Sequence, residues 1–185
     1  MLLAFAYDHA PLATLDREVT EWVAGSMPSW AEALARPFSW LGGWIGMVPI
    51  SVGVVLVLLV ARRVFDAVWA ALALAGIHIL SALLKEVFDR PRPHEGSAVP
   101  LPSSDSFPSG HASGAVVTFG VLAALGVERW PERARMLWTG AVLLAAAVGA
   151  SRAVLNVHYL TDVLAGFCVG IAWLAAGLLI RSEVR

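Results

Sequence analysis

Residues 163–180 read VLAGFCVGIAWLAAGLLI, with no Asp, Glu, Lys, Arg or His among them. A helix of that length covers most of the ~30 Å hydrocarbon core of a bilayer. A strand is a poor alternative, because lipid cannot satisfy an open backbone edge. Four more runs are as apolar, with His78 the one titratable group among them: Leu41–Val60, Ala67–Leu84, Ala112–Val127 and Met136–Ser151. The 185-residue chain is 58% hydrophobic and only 15% charged, against about 45–50% and about 25% in soluble domains. The expected fold is therefore all-α: one integral membrane helical bundle of about five transmembrane helices. Frequent glycine and alanine in the runs suit close helix packing. A soluble enzyme, a disordered chain and a coiled coil are excluded. A net charge of −1 gives no electrostatic case for nucleic acid. Cys168, the single cysteine, cannot form an internal disulfide.

Residues 1–37 differ from the bundle at 38–185. Met1–Ala6 is too short to span and lacks a basic flank, which makes it a poor signal peptide. Thr14 is a candidate cap for a helix over Leu15–Ala24. Leu15, Val19, Trp22 and Val23 form its apolar face, and Asp16, Glu18 and Glu21 its polar one. That pattern predicts an amphipathic helix lying in the membrane interface. Ser29-Trp30-Ala31-Glu32 has the form of a capping box and predicts a second short helix ending before Pro37. Trp22, Trp30, Trp40 and Trp44 read as an aromatic belt.

With about five spans, Arg62, Arg63, Arg129, Arg133, Arg135, Arg181 and Arg185 fall on one side. Arg17, Arg36, Lys85, Arg90, Arg92 and Arg152 fall on the other. Setting aside Lys85, Arg92 and Arg152 as functional, the arginine bias makes the first side cytoplasmic. Three polar segments then share the outer face. Lys85-Glu86-Val87-Phe88-Asp89-Arg90-Pro91-Arg92-Pro93 closes the second span. Phe107-Pro108-Ser109-Gly110-His111 opens the third. Ser151-Arg152, His158 and Asp162 lead into the fifth. Such a set of cations fits an anion with several oxygens, and phosphate is the obvious one. Ser109 and Gly110 stand where free N–H groups and a positive helix end favour the same ligand. His158 and Asp162 are four apart, so a helix beginning by then puts them on one face. A carboxylate on one imidazole nitrogen fixes the tautomer and leaves the other free to attack. His111 is a second imidazole, suited to protonate a leaving oxygen.

Lys85-x6-Arg92-Pro93, Pro108-Ser109-Gly110-His111 and Ser151-Arg152-x5-His158-x3-Asp162 resemble the three signature motifs of the type-2 phosphatidic acid phosphatase superfamily, the lipid phosphate phosphatases. All three are complete and in order, and the resemblance covers about Trp40 to Ile180. It implies that His158 is the nucleophile and forms a phosphohistidine, that Asp162 orients it, and that His111 is the general acid. It implies that Lys85, Arg92, Ser109, Gly110 and Arg152 hold the phosphoryl oxygens, with no metal or other cofactor. Bacterial members usually have about six spans; here the N-terminal helix stands in place of the first. Vanadium-dependent haloperoxidases share the pocket, but they are soluble, and the spans argue against them. A lipid phosphotransferase would use the same phosphohistidine, and a non-catalytic membrane protein would leave the triple motif unexplained. The expected partners are membrane lipids and a lipid phosphate or diphosphate substrate: phosphatidic acid, phosphatidylglycerol phosphate and undecaprenyl diphosphate all fit. The expected location is the plasma membrane, with the site on its extracytoplasmic face.

Other residues have plainer readings. Arg90 fits a snorkelling side chain better than a catalytic one, since the motif spacing selects Arg92, while its place beside the site leaves a role there open. His78 is read as hydrogen-bonding a neighbouring helix. Cys168 reads as lipid-facing or packed in the core, and Asp66, Glu128 and Glu132 as loop charges. His94, Asp8 and His9 read as solvated. The loop Pro93–Phe107 is a candidate gate over the site.

Overall fold

The computed structural model describes residues 11–93 and 96–184; the expectations for Met1–Ala6, Asp8, His9 and His94 fall outside them. The described chain consists of helices, one 3-10 turn and their connections. The helices are α1 (Leu12–Ser26), α2 (Ser29–Gly42), α3 (Trp44–Val60), α4 (Val64–Phe88), α5 (Gly110–Arg129), α6 (Ala134–Val154) and α7 (Leu160–Val184). Helices α4 and α5, α6 with its preceding turn, and α7 are long and apolar enough to cross a membrane. The α2–α3 pair, bent by 42°, makes a fifth span if taken as one. Each apolar run is thus a helix that extends beyond it at one or both ends, except the first, which is divided between the end of α2 and α3 at Gly43.

Two local expectations are corrected. Thr14 does not cap α1, which starts earlier behind Pro11. Helix α2 does begin at Ser29, but without a side-chain cap, and it runs through Pro37 to Gly42. Proline keeps a helical φ and costs one backbone bond. Packing against α6 outweighs that loss: Ala35 is buried, and Gly42 sits so close to Val148 that a Cβ would fall 2.3 Å from its Cγ1.

Helix α5 occupies the centre and packs on α6, α7, α4, α3 and α2. Its small residues make this possible. Gly166 of α7 lies against the first turn of α5, where a Cβ would come within 2.6 Å of the Ser109 carbonyl oxygen. Polar bonds tie α4 to its neighbours. Ser81 and Ser113 hydroxyls are 2.8 Å apart. Trp69 Nε1 donates to Gly177 O at 2.8 Å, and Trp173 Nε1 to Ala73 O at 2.9 Å. In lipid such bonds have no water to compete with them.

The end of the bundle away from the motifs closes on charge. Asp66 accepts from Arg181 (2.6 Å) and Arg63 (2.7 Å), and Glu128 from the same two arginines (2.8 and 2.6 Å). Asp66 and Glu128 are therefore helix residues in an ion-pair cluster, contrary to the loop reading; Asp66 is buried because two guanidiniums neutralise it. Glu132 is an exposed charge in the turn beside Arg133. His78 does not bond a neighbouring helix among the described residues. Its ring lies over Gly114 and lines an apolar groove of about 330 Å³ between α3 and α4. The groove offers the imidazole no acceptor positioned for it. Cys168 is exposed, as the lipid-facing reading expects. The four belt tryptophans are exposed as well.

The close approach at Gly166 is testable against Gly140, where a Cβ would meet nothing within 4 Å. Gly140→Ala should gain up to about 0.5–1 kcal/mol from helix propensity. Gly166→Ala should lose stability, because overpacking costs about 1–3 kcal/mol. Thermal unfolding in detergent should separate the two; equal melting temperatures would contradict the packing described.

Candidate active site

The C-terminal ends of α4 and α6 and the N-terminal ends of α5 and α7 meet at one end of the bundle. Lys85 and Arg152 stand in the last turns of α4 and α6, where a cation is favoured. The positive ends of α5 and α7 face the same space. Helix α4 stops at Asp89, which adopts the left-handed conformation (φ 44°) and donates its N–H back to Lys85 O at 3.0 Å. Aspartate tolerates this geometry better than most residues. The turn sends Arg90 and Arg92 inward, and both are buried. Asn156, also left-handed (φ 53°), makes the matching turn after α6 and delivers His158.

His158 lies just before α7 and is buried, with contacts on both ring nitrogens. Arg92 Nη1 is 3.0 Å from Nε2, and Asp162 Oδ2 is 3.3 Å from Nδ1. A guanidinium can only donate. Nε2 is therefore the acceptor, and the ring proton sits on Nδ1, facing the carboxylate. This is the tautomer that a nucleophilic Nε2 requires. Asp162 is fixed in turn: Oδ2 also accepts from Tyr159 N at 2.9 Å, and Oδ1 accepts from Arg90 Nη1 at 2.5 Å. The Asp162 carbonyl accepts from Ser109 N at 3.0 Å, which ties the start of α5 to the start of α7.

Around this pair, Lys85 donates to Asp105 O. Arg92 also donates to Val157 O (2.8 Å), Ser104 O (2.7 Å) and Asp105 O (3.1 Å). The loop before α5 thus folds its carbonyls onto two of the cations. Ser106 holds it down, its hydroxyl bonded to the carbonyls of Arg90 and Pro91 at 3.0 Å each. Arg152 Nη1 donates to Ser39 of α2. Arg152 Nε and Ser109 Oγ are buried with no partner among the described residues; a phosphoryl oxygen would satisfy either. His111, in the first turn of α5, lies within the electrostatic field of Arg152, His158, Arg92 and Lys85. Its ring rests on the α2–α3 bend, 3.4 Å from where a Cβ at Gly43 would stand. Ser151 turns away, bonded to Val148 O at 2.6 Å.

The structure therefore brings together His158, His111, Asp162, Lys85, Arg92, Ser109, Gly110 and Arg152. It also adds residues that the sequence reading missed. Arg90 is no snorkelling side chain: it pairs with Asp162 and with Asp16. Asp16 is no surface charge of an interfacial helix: it is 1% exposed. Ser39 reaches the site from α2. An acidic residue one turn before Val19 and two before Val23 was the available sign that Asp16 could lie on the inner face of α1.

The PAP2 superfamily model matches residues 66–185. The chain belongs to this superfamily. The PAP2 match begins in α4 and takes in all three motifs. Phosphatidylglycerophosphatase B of Bacillus subtilis (strain 168) is 29% identical over 174 residues, covering 92% of this chain and 85% of that protein. The crystal structure of the first transmembrane PAP2 type phosphatidylglycerolphosphate phosphatase from Bacillus subtilis superimposes with a TM-score of 0.92 at 27% identity. It covers all of this chain and 92% of its own. The PAP2 fold seen there thus includes the N-terminal helices as well as the motif-bearing bundle.

Burial holds the His158 pKa well below the ordinary imidazole range, and Arg92, Arg152 and Lys85 push it lower still. The ring stays neutral in the folded protein. In the unfolded chain it takes up a proton near about pH 6.5. The unfolded state then binds more protons, so this contribution to stability is complete above that pH and fades as pH falls through it. On going from about pH 7.5 to about pH 5, wild type should lose more melting temperature than His158→Gln. Equal losses would mean that the cluster does not keep His158 neutral.

Proposed function

We propose that this membrane phosphatase removes the phosphate monoester of a lipid of the phosphatidylglycerol phosphate type, through a phosphohistidine on His158. The observation that carries the reading is the doubly held imidazole, with Nδ1–H toward Asp162 and Nε2 toward Arg92 and the cation cluster. A phosphoryl group entering between Arg92 and Nε2 takes over the guanidinium's donors with its oxygens and presents phosphorus to the ring nitrogen. Lys85, Arg92, Arg152, Ser109 and the first N–H groups of α5 at Gly110 spread the oxygen charge, which is the main work of phosphoryl transfer. Nε2 forms the N–P bond as the P–O bond to the lipid breaks, and His111 gives its proton to the departing oxygen. Asp162 compensates the positive charge on the phosphorylated ring. Water then attacks phosphorus, gives a proton to His111, and frees Nε2. The activity named for the Bacillus subtilis matches supports the choice of lipid. Water as acceptor, rather than a second lipid, follows from a site at the membrane surface.

The two histidines separate by leaving group. His158→Ala should abolish turnover of every substrate. General acid help is worth about 10²–10⁴-fold, roughly 3–5 kcal/mol, and a nitrophenolate leaves without much of it. His111→Ala should therefore slow lipid turnover far more than p-nitrophenyl phosphate turnover. Steady-state kinetics on both substrates tests this; near wild-type turnover in His158→Ala would sink the assignment. Activity should also persist in EDTA, because side chains supply the positive charge.

The site is proposed to face away from the cytoplasm in the plasma membrane, from the arginine bias of the opposite ends. Cysteines placed singly at Arg133 and Ser103 test it in intact cells. An impermeant thiol reagent should label position 103 and spare position 133; the reverse would invert the topology.

A further inference from the structure

Asp16 and Asp162 lie 146 positions apart in the chain, and Arg90 holds them together. Its Nη1 donates to Asp162 Oδ1 at 2.5 Å and to Thr161 Oγ1 at 2.8 Å, and its Nη2 to Asp16 Oδ2 at 2.8 Å. The guanidinium also stacks on Tyr159, 4.1 Å from the ring centroid. Asp16 uses both oxygens: Oδ1 accepts from Thr161 N at 3.0 Å, and Oδ2 accepts from the Thr161 hydroxyl as well as from Arg90. It thereby caps the N-terminus of α7 from a different helix. Asp16, Arg90, Thr161 and Asp162 are all buried.

Burying three charges costs several kcal/mol per ion unless each is fully bonded. Here the bonding is complete on the Asp16 side, where only α1 can supply it. The planar fork of arginine suits the task, since its two terminal nitrogens serve two separate carboxylates. With one cation shared between two anions, Asp162 keeps negative charge for the imidazole. We propose that Asp16 and Arg90 are positioning residues, and that α1 is a working part of the site: Asp16 holds Arg90, and Arg90 sets Asp162 against His158. This rests on the reading of His158 as nucleophile and extends it to a helix that carries none of the three motifs.

The test compares purified wild type, Asp16→Asn, Arg90→Lys and the exposed control Glu18→Gln on a lipid phosphate and on p-nitrophenyl phosphate. Partners that orient an active imidazole from behind are worth on the order of 10–100-fold at metal sites. Asp16→Asn should lose kcat by about tenfold or more, equally on both substrates, with KM and the inhibition constant for inorganic phosphate unchanged. Unchanged phosphate inhibition shows that the anion pocket is folded. Arg90→Lys should not rescue, because an ammonium cannot bridge the two carboxylates in the plane of the fork. Glu18→Gln should match wild type. If Asp16→Asn aggregates, Asp16→Glu, which keeps the charge and shifts it by a methylene, should show the same equal kcat loss. A loss confined to the lipid, or to KM, would make α1 a substrate-access element and overturn the proposal. Wild-type kinetics in Asp16→Asn would do the same. Should His158→Ala remain active, the nucleophile assignment falls first, whatever Asp16 does.

Discussion

One imidazole, buried at the end of a membrane bundle and held on both nitrogens, is the constraint around which this molecule is built. Arg92 fixes Nε2 as an acceptor, and Asp162 accepts the hydrogen bond from Nδ1–H. The second contact is made within one turn of chain, and the first joins distant segments. Arg92 comes from the turn after α4, and Asp162 from the first turn of α7. Ser109 at the start of α5 bonds the Asp162 carbonyl. The helix ends must therefore register to within a hydrogen bond's tolerance, which explains the tight glycine contact of α7 on α5 just below them.

Electrostatics makes the same point. Lys85, Arg92 and Arg152 crowd one small volume, and like charges in a poorly solvated place repel strongly. Loop carbonyls, Ser39 and the nearby carboxylates offset that repulsion. The result is a pocket of donors already aimed, so that a phosphoryl group exchanges places with weaker acceptors and requires little rearrangement. The far end of the bundle uses the opposite arrangement: Asp66 and Glu128 are matched against Arg63 and Arg181.

Much of this was legible in the sequence. The apolar runs fixed the helical class because lipid leaves so few alternatives, and the motif residues met because their spacing places them at helix ends on one side. What could not be read was the role of charges whose partners are distant in sequence. Arg90 looked like a helix-end cation, since nothing near it showed that Asp16 and Asp162 would bracket it. Asp16 groups with Glu18 and Glu21 as polar, yet at about 3.6 residues per turn it stands beside Val19 and Val23 and nearly opposite both glutamates, on the face by which α1 docks. Asp66 was misread for a similar reason, as Arg181 lies 115 positions away. The run of α2 through Pro37 depended on packing against α6, which a local proline rule does not contain.

The central claim is that phosphorus passes through His158. It is tested most directly by rapid alkaline quenching of the enzyme during turnover, followed by mass spectrometry of its peptides. Phosphohistidine survives base and is lost in acid. The account predicts one added phosphoryl group on the peptide containing His158, labile to acid and missing in His158→Ala. A phosphoryl group on His111 or Ser109, or an unmodified enzyme during a clear burst of alcohol release, would contradict it.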